Sequence, residues 1–167
     1  MIRKLIIFIL FLLLSHSMVF SQETTDKFNF LIENGAKMIR ENDFGKVLHM
    51  IEELPSFRKA DFRIRVLENF AYLKGYLVTK RKEDGKKWQE DYKPICYTRD
   101  KSAIPILMDL LKDNDPYIRA FTLRALGFLG DQTALEAIRG LANQDPNQKV
   151  RQRAREAYKR LTGYDLP

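Results

Sequence analysis

One side-chain pattern occurs twice in this chain, 32 residues apart. Ile118-Arg119 and Val150-Arg151 each pair a β-branched residue with arginine. Ala125-Leu126 and Ala157-Tyr158 then stand seven and eight positions after the β-branched one. Positions spaced by seven and eight share one helical face, so each segment predicts an amphipathic helix. The small alanines let a neighbouring helix approach closely. A step of 32 residues falls in the range of stacked structural repeats, each unable to bury its apolar face alone.

The local chemistry agrees. Asp115-Pro116 and Asp145-Pro146 open the two segments. The aspartates are expected to cap the helices by accepting from their first free amides. The prolines fit the first helical position, where no amide bond is lost. A second amphipathic stretch precedes each segment, 103–111 before the first and 134–142 before the second. Ser102 and Asp131 are the expected caps of these. Gly127 or Gly130 is the expected end of the helix between them.

Ser102 to Leu161 resembles the HEAT-repeat family, especially its short bacterial HEAT-like form. That family carries an Asp six positions before the Arg of an apolar-Arg pair. Asp113 with Arg119, and Asp145 with Arg151, fit this spacing. The resemblance implies an all-α fold, a right-handed α-α superhelix (HEAT-like solenoid) of about three helix pairs. It implies a ladder of contacts between neighbouring repeats through Asp113, Arg119, Asp145 and Arg151. It also implies that the second helix of each pair lines the concave side, and that the protein binds rather than catalyses.

The remaining chain reads in order. Residues 1–21 look like an export signal: Arg3 and Lys4, an apolar run from Leu5 to Leu14, then a more polar tail to Ser21. Ten apolar residues are too few to span a bilayer, which takes about 20. Removal at Ser21 takes two basic residues and no acid, leaving 27 basic against 22 acidic. Such a chain is expected to be periplasmic or extracellular. Residues 22–77 carry N-terminal helices, including a degenerate repeat at Asp43–Leu73. There Ile64-Arg65 with Ala71-Tyr72 repeats the spacing, but Lys59 stands where the ladder aspartate belongs. Residues 78–101 interrupt the period as a basic and aromatic insertion. In it Glu83-Asp84-Gly85 reads as a turn, while Trp88, Tyr92, Ile95 and Tyr97 suggest that it folds back onto the helices. Residues 102–167 hold the two clear repeats and a tail, whose Tyr164 and Leu166 are placed to cover the last repeat.

Catalytic and metal-binding residue sets are sparse. Past residue 21 there is one histidine, His49, and one cysteine, Cys96. These two cannot make a His/Cys metal site of three or four ligands. A lone cysteine forms no intrachain disulfide, so an exported fold is held by packing. No glycine-rich phosphate loop, calcium loop or nucleophile elbow occurs. No catalytic residue, cofactor or metal site is assigned. Basic residues are the stronger signal, with a formal net charge of +7. The expected partner is another protein, on a surface that includes Arg124, Gln152, Arg153, Arg155, Glu156 and Lys159. An anionic lipid surface or envelope polymer is the alternative, and a small enzyme using His49 the second. Nucleic acid fits poorly with export.

Overall fold

The computed structural model describes residues 2–166, and the side chains of residue 19 and residues 21–166. The described residues form α-helices joined by short loops and two single 3-10 turns, without a strand. α1 spans Ile2–Arg40, α2 Phe44–Glu52, α3 Ser56–Lys59, α4 Phe62–Thr79 and α5 Lys82–Tyr97. α6 spans Ile104–Leu110, α7 Pro116–Leu129, α8 Leu135–Gln144 and α9 Gln148–Thr162. Of the proposed export signal, residues 1–18, with the run from Leu5 to Leu14, and residue 20 lie outside the residues whose side chains are described. Among the described residues, no helix is long and apolar enough to cross a membrane.

Each hairpin buries one stripe of each helix. Ile118, Leu123, Ala125 and Leu126 of α7 are buried, as are Val150, Ala154 and Ala157 of α9. α7 packs on α9 and α6, α8 packs on α9, and α1 packs on α2, α4 and α6. The fold is all-α and HEAT-like. One apolar core runs through it from Phe28 to Leu161. The packing of α7 on α9 is close because of Gly127: a Cβ there would lie 3.0 Å from the Ala157 Cα. Gly127 is therefore a contact residue inside α7. The helix ends instead at Gly130, whose φ of 72° is left-handed and suits glycine.

Three local expectations are corrected. Residues 82–97 are the helix α5, so Glu83, Asp84 and Gly85 belong to its first turn rather than to a loop turn. Acidic side chains favour that end of a helix dipole, and Gly85 is needed because a Cβ would meet the Tyr76 ring at 2.9 Å. α5 packs between α4 and α7. Tyr92 and Ile95 are buried, and Trp88 lies against the Phe121 ring at 4.6 Å between centroids.

Second, Asp145 does not cap α9. Asn147 does, accepting from the Lys149 and Val150 amides. Asp115 caps α7 from the equivalent place, 32 residues earlier. The two Asp-Pro pairs are thus out of register: Asp113 matches Asp145, and Asp115 matches Asn147. Pro146 lies before α9. Third, Asp100, not Ser102, caps the turn leading into α6, its carboxylate accepting from the Ser102 amide. Leu166 packs against the core, whereas Tyr164 is exposed.

Candidate functional site

The repeat corner is built from buried charge. Arg119 is 9% exposed and Asp145 4%. Arg119 Nε donates to Asp145 Oδ2 at 2.7 Å, and Nη2 donates to Oδ1 at 2.9 Å. Its Nη1 donates to the carbonyls of Asp113 and Asn114, at 2.8 and 3.0 Å. One guanidinium thus closes its own corner and grips the next hairpin. Burial alone would raise the Asp145 carboxyl. Its hydrogen bonds from Arg119 and the Asn147 amide outweigh that and hold it below the ordinary value.

Asp113 repeats the arrangement one step earlier, with a different donor. Its Oδ1 accepts from the Asp115 amide at 2.8 Å and from Lys74 Nζ at 2.7 Å. Lys74, on α4, is 4% exposed. The degenerate repeat therefore reaches the ladder through Lys74, ten positions after Ile64, rather than through Arg65. At the far end, Arg151 Nη1 donates to the Asp145 and Pro146 carbonyls at 2.7 and 3.2 Å. No described carboxylate lies on it.

A groove of about 620 Å³ runs between the first turns of α7 and α9. Pro116, Tyr117, Ala120 and Phe121 line one wall, and Lys149, Gln152 and Arg153 line the other. Tyr117 is half exposed, with Lys149 Nζ 6.0 Å from its ring centre. The groove shares Arg153 with a smaller, polar hollow of about 170 Å³, lined by Arg124, Arg153, Glu156, Ala157 and Arg160. Arg153 is paired with Glu156 at 2.6 Å. Among the described residues Arg124 and Arg160 have no carboxylate partner; they lie over the Phe128 ring, 5.8 and 4.3 Å from its centre. Such stacking holds a guanidinium in place while leaving its N–H edge free for an anion.

Of the residues expected at a partner surface, Arg124, Gln152, Arg153 and Glu156 are brought together. Arg155 and Lys159 lie apart from both hollows, Lys159 pairing with Asp165 at 3.0 Å. Lys149 and Arg160, two of the basic residues of the last helix, join the site, and so do Tyr117 and Phe121, which the sequence did not single out. The signal was available for one pair: Tyr117 and Lys149 stand 32 residues apart, at the same repeat position.

Other reactive groups are occupied or scattered. His49 is exposed and lies 3.6 Å from Glu53. Burial pushes the Cys96 thiol above its ordinary value, although the Tyr92 hydroxyl beside it acts the other way. A thiol in that state is a poor nucleophile. Among the described residues, no group of three His, Cys, Asp or Glu is placed to hold a metal.

Paired antiparallel helices joined through buried corner charges define an all-helical repeat protein. Residues 93–159 match the family of HEAT repeats, from inside α5 to inside α9. No curated protein and no solved structure matches the chain. HEAT repeats generally mediate protein–protein interaction and scaffolding, and proteins built from them are typically non-catalytic.

Proposed function

We propose that this protein is an exported, non-catalytic scaffold that holds a segment of a partner protein along the concave α7–α9 face. The observation that carries this is the continuity of the two hollows. An apolar wall at Tyr117, Ala120 and Phe121 leads through Arg153 to the stacked, unpaired guanidinium groups of Arg124 and Arg160. An apolar side chain followed by a carboxylate fits that sequence of surfaces. Affinity in such an interface comes from a few desolvated anchors rather than from area. The apolar wall favours protein over a bare anionic surface, which would need only the cations.

Export rests on the 1–21 segment. Among the described side chains the first buried one is Phe28, beyond the proposed cleavage point at Ser21, so removal of the signal would keep that buried part of α1.

The test is site-specific photocrosslinking in the native cell, with a benzophenone amino acid at position 117 and a control at position 46 on α2. A discrete adduct at 117, absent at 46 and lost with Arg124→Glu plus Arg153→Glu, is the expected result. Equal labelling at both positions, or an adduct indifferent to the charge reversals, rejects the groove. Mass spectrometry of the mature amino terminus tests export: a chain still beginning at Met1 rejects it.

A further inference from the structure

The outward side of the last hairpin differs in chemistry from the face of α7 that α9 covers. On α9, Lys149, Arg153, Glu156 and Arg160 all line hollows whose other wall is α7, so that flank faces the preceding hairpin. Residues 151, 155 and 158 occupy the opposite flank. On α8, Ala137, Leu141 and Gln144 lie with Arg119 and Asp145. That sets residue 139 on the outward side. At the repeat distance of 32, Leu123 of α7 corresponds to Arg155 of α9, and Leu126 to Tyr158. Leu123 and Leu126 are fully buried under α9, whereas Arg155 is exposed and Tyr158 half-buried. Arg139 and Arg155 make no ion pair or side-chain hydrogen bond with the described residues.

Arg151 is the centre of this face. Its Nη1 donates to the Asp145 and Pro146 carbonyls, the equivalents 32 residues on of the Asp113 and Asn114 carbonyls that Arg119 Nη1 holds. Arg119 then uses Nε and Nη2 to receive Asp145. On Arg151 those two donors have no acceptor among the described residues. The guanidinium is therefore fixed from behind in the pose that accepts a carboxylate bidentately, a geometry that lysine cannot offer.

We propose that this end face is a second docking surface, separate from the groove, for an acidic helical segment of a partner protein. A partner carboxylate occupies Arg151 as Asp145 occupies Arg119, flanked by Arg139 and Arg155 and covering Tyr158. Charge complementarity selects the occupant: Arg139, Arg151 and Arg155 have no carboxylate partner among the described residues, against one unpaired acid nearby, Glu136, three positions before Arg139 on α8. A second copy of this chain is the poorer fit. Its own carboxylates of this type, Asp113 and Asp145, are both buried and engaged by Lys74 and Arg119, and like-charged faces repel.

The test uses the full chain and a labelled 16-residue peptide that begins Asp-Pro and carries glutamate at every fourth position. Fluorescence anisotropy is read at low salt, beside a version with lysine in place of every acid. The acidic peptide is expected to bind and the lysine version not to. Arg151→Gln should weaken binding about tenfold or more, and Arg151→Lys should rescue little of it. Arg139→Glu with Arg155→Glu, at exposed positions with no internal partner, should abolish binding while leaving the melting temperature unchanged. Arg124→Glu in the groove should leave this binding intact, which separates failure of the end face from failure of the groove. Absence of binding, equal binding of the lysine peptide, or indifference to the Arg139 and Arg155 reversals overturns the proposal. So does a concentration-dependent dimer in sedimentation that Arg151→Gln disperses, because the occupant is then a second copy.

Discussion

Asp145→Asn removes a single charge and nearly no volume from a buried corner of the stack. The wild-type carboxylate accepts Arg119 Nε at 2.7 Å and Nη2 at 2.9 Å, and the Asn147 amide at 2.8 Å. The amide oxygen of asparagine keeps the Oδ1 contacts. Its NH2 then faces the Arg119 Nε–H, donor against donor. The guanidinium keeps its two carbonyl acceptors but loses its counter-charge, with a side chain only 11% exposed. Breaking a buried pair on one side costs about 3–5 kcal/mol. The retained carbonyl bonds place this case at the low end, about 3 kcal/mol. At roughly 3 °C per kcal/mol for a chain of this length, the melting temperature falls by about 9 °C.

The pH profile supplies the sign. The folded carboxyl lies below its unfolded value of about 3.9. Its contribution is present above that value and is lost as pH falls through the folded one. The difference between wild type and Asp145→Asn should be full at pH 7 and close as acid is added below about pH 4. Calorimetry across that range checks it, together with Arg119→Met/Asp145→Leu, which removes both charges and should recover part of the loss. A shift at pH 7 under 2 °C, or a difference unchanged down to pH 2, refutes the reasoning.

Further outcomes follow from other contacts. Gly127→Val drives methyl groups against the Ala157 backbone and should cost about 1–3 kcal/mol, read by urea denaturation. The Cys96 thiol, buried and raised, should react with a maleimide far more slowly in the native protein than in urea; similar rates refute its burial. Trp88 is the one tryptophan in the chain, so its fluorescence reports whether α5 is docked. Tyr92→Phe, which deletes the 2.8 Å bond from its hydroxyl to the Phe121 carbonyl, should cost about 1 kcal/mol without a large spectral change.

Much of the C-terminal half was legible because helical periodicity and buried ladder charges leave marks at constant spacing. Ile118 and Val150, with their alanines, announce the same face twice. Capping was less legible. Aspartate serves equally as a cap and as an acceptor for arginine, and only the fold shows that Asp145 does the second while Asn147 does the first. α5 was obscured by Glu83-Asp84-Gly85, a composition shared by loop turns and by the first turn of a helix. The requirement for Gly85 comes from Tyr76 in another helix, which no local pattern reveals. Lys74 was invisible for a similar reason: a lysine on an apolar helix finds its acid 39 residues away. On the groove face, the cationic side chains could be read from helix phase. Their separation from Arg155 and Lys159 depended on which flank of α9 meets α7.

Arg119 also governs how the stack would come apart under load. Because one side chain is tied to its own corner and to the following one, the last hairpin has no partial hold on the rest at that point. When the chain is pulled from its tail, α9 lies beyond this tie and can peel away first, whereas α8 stays held until the Arg119–Asp145 pair breaks.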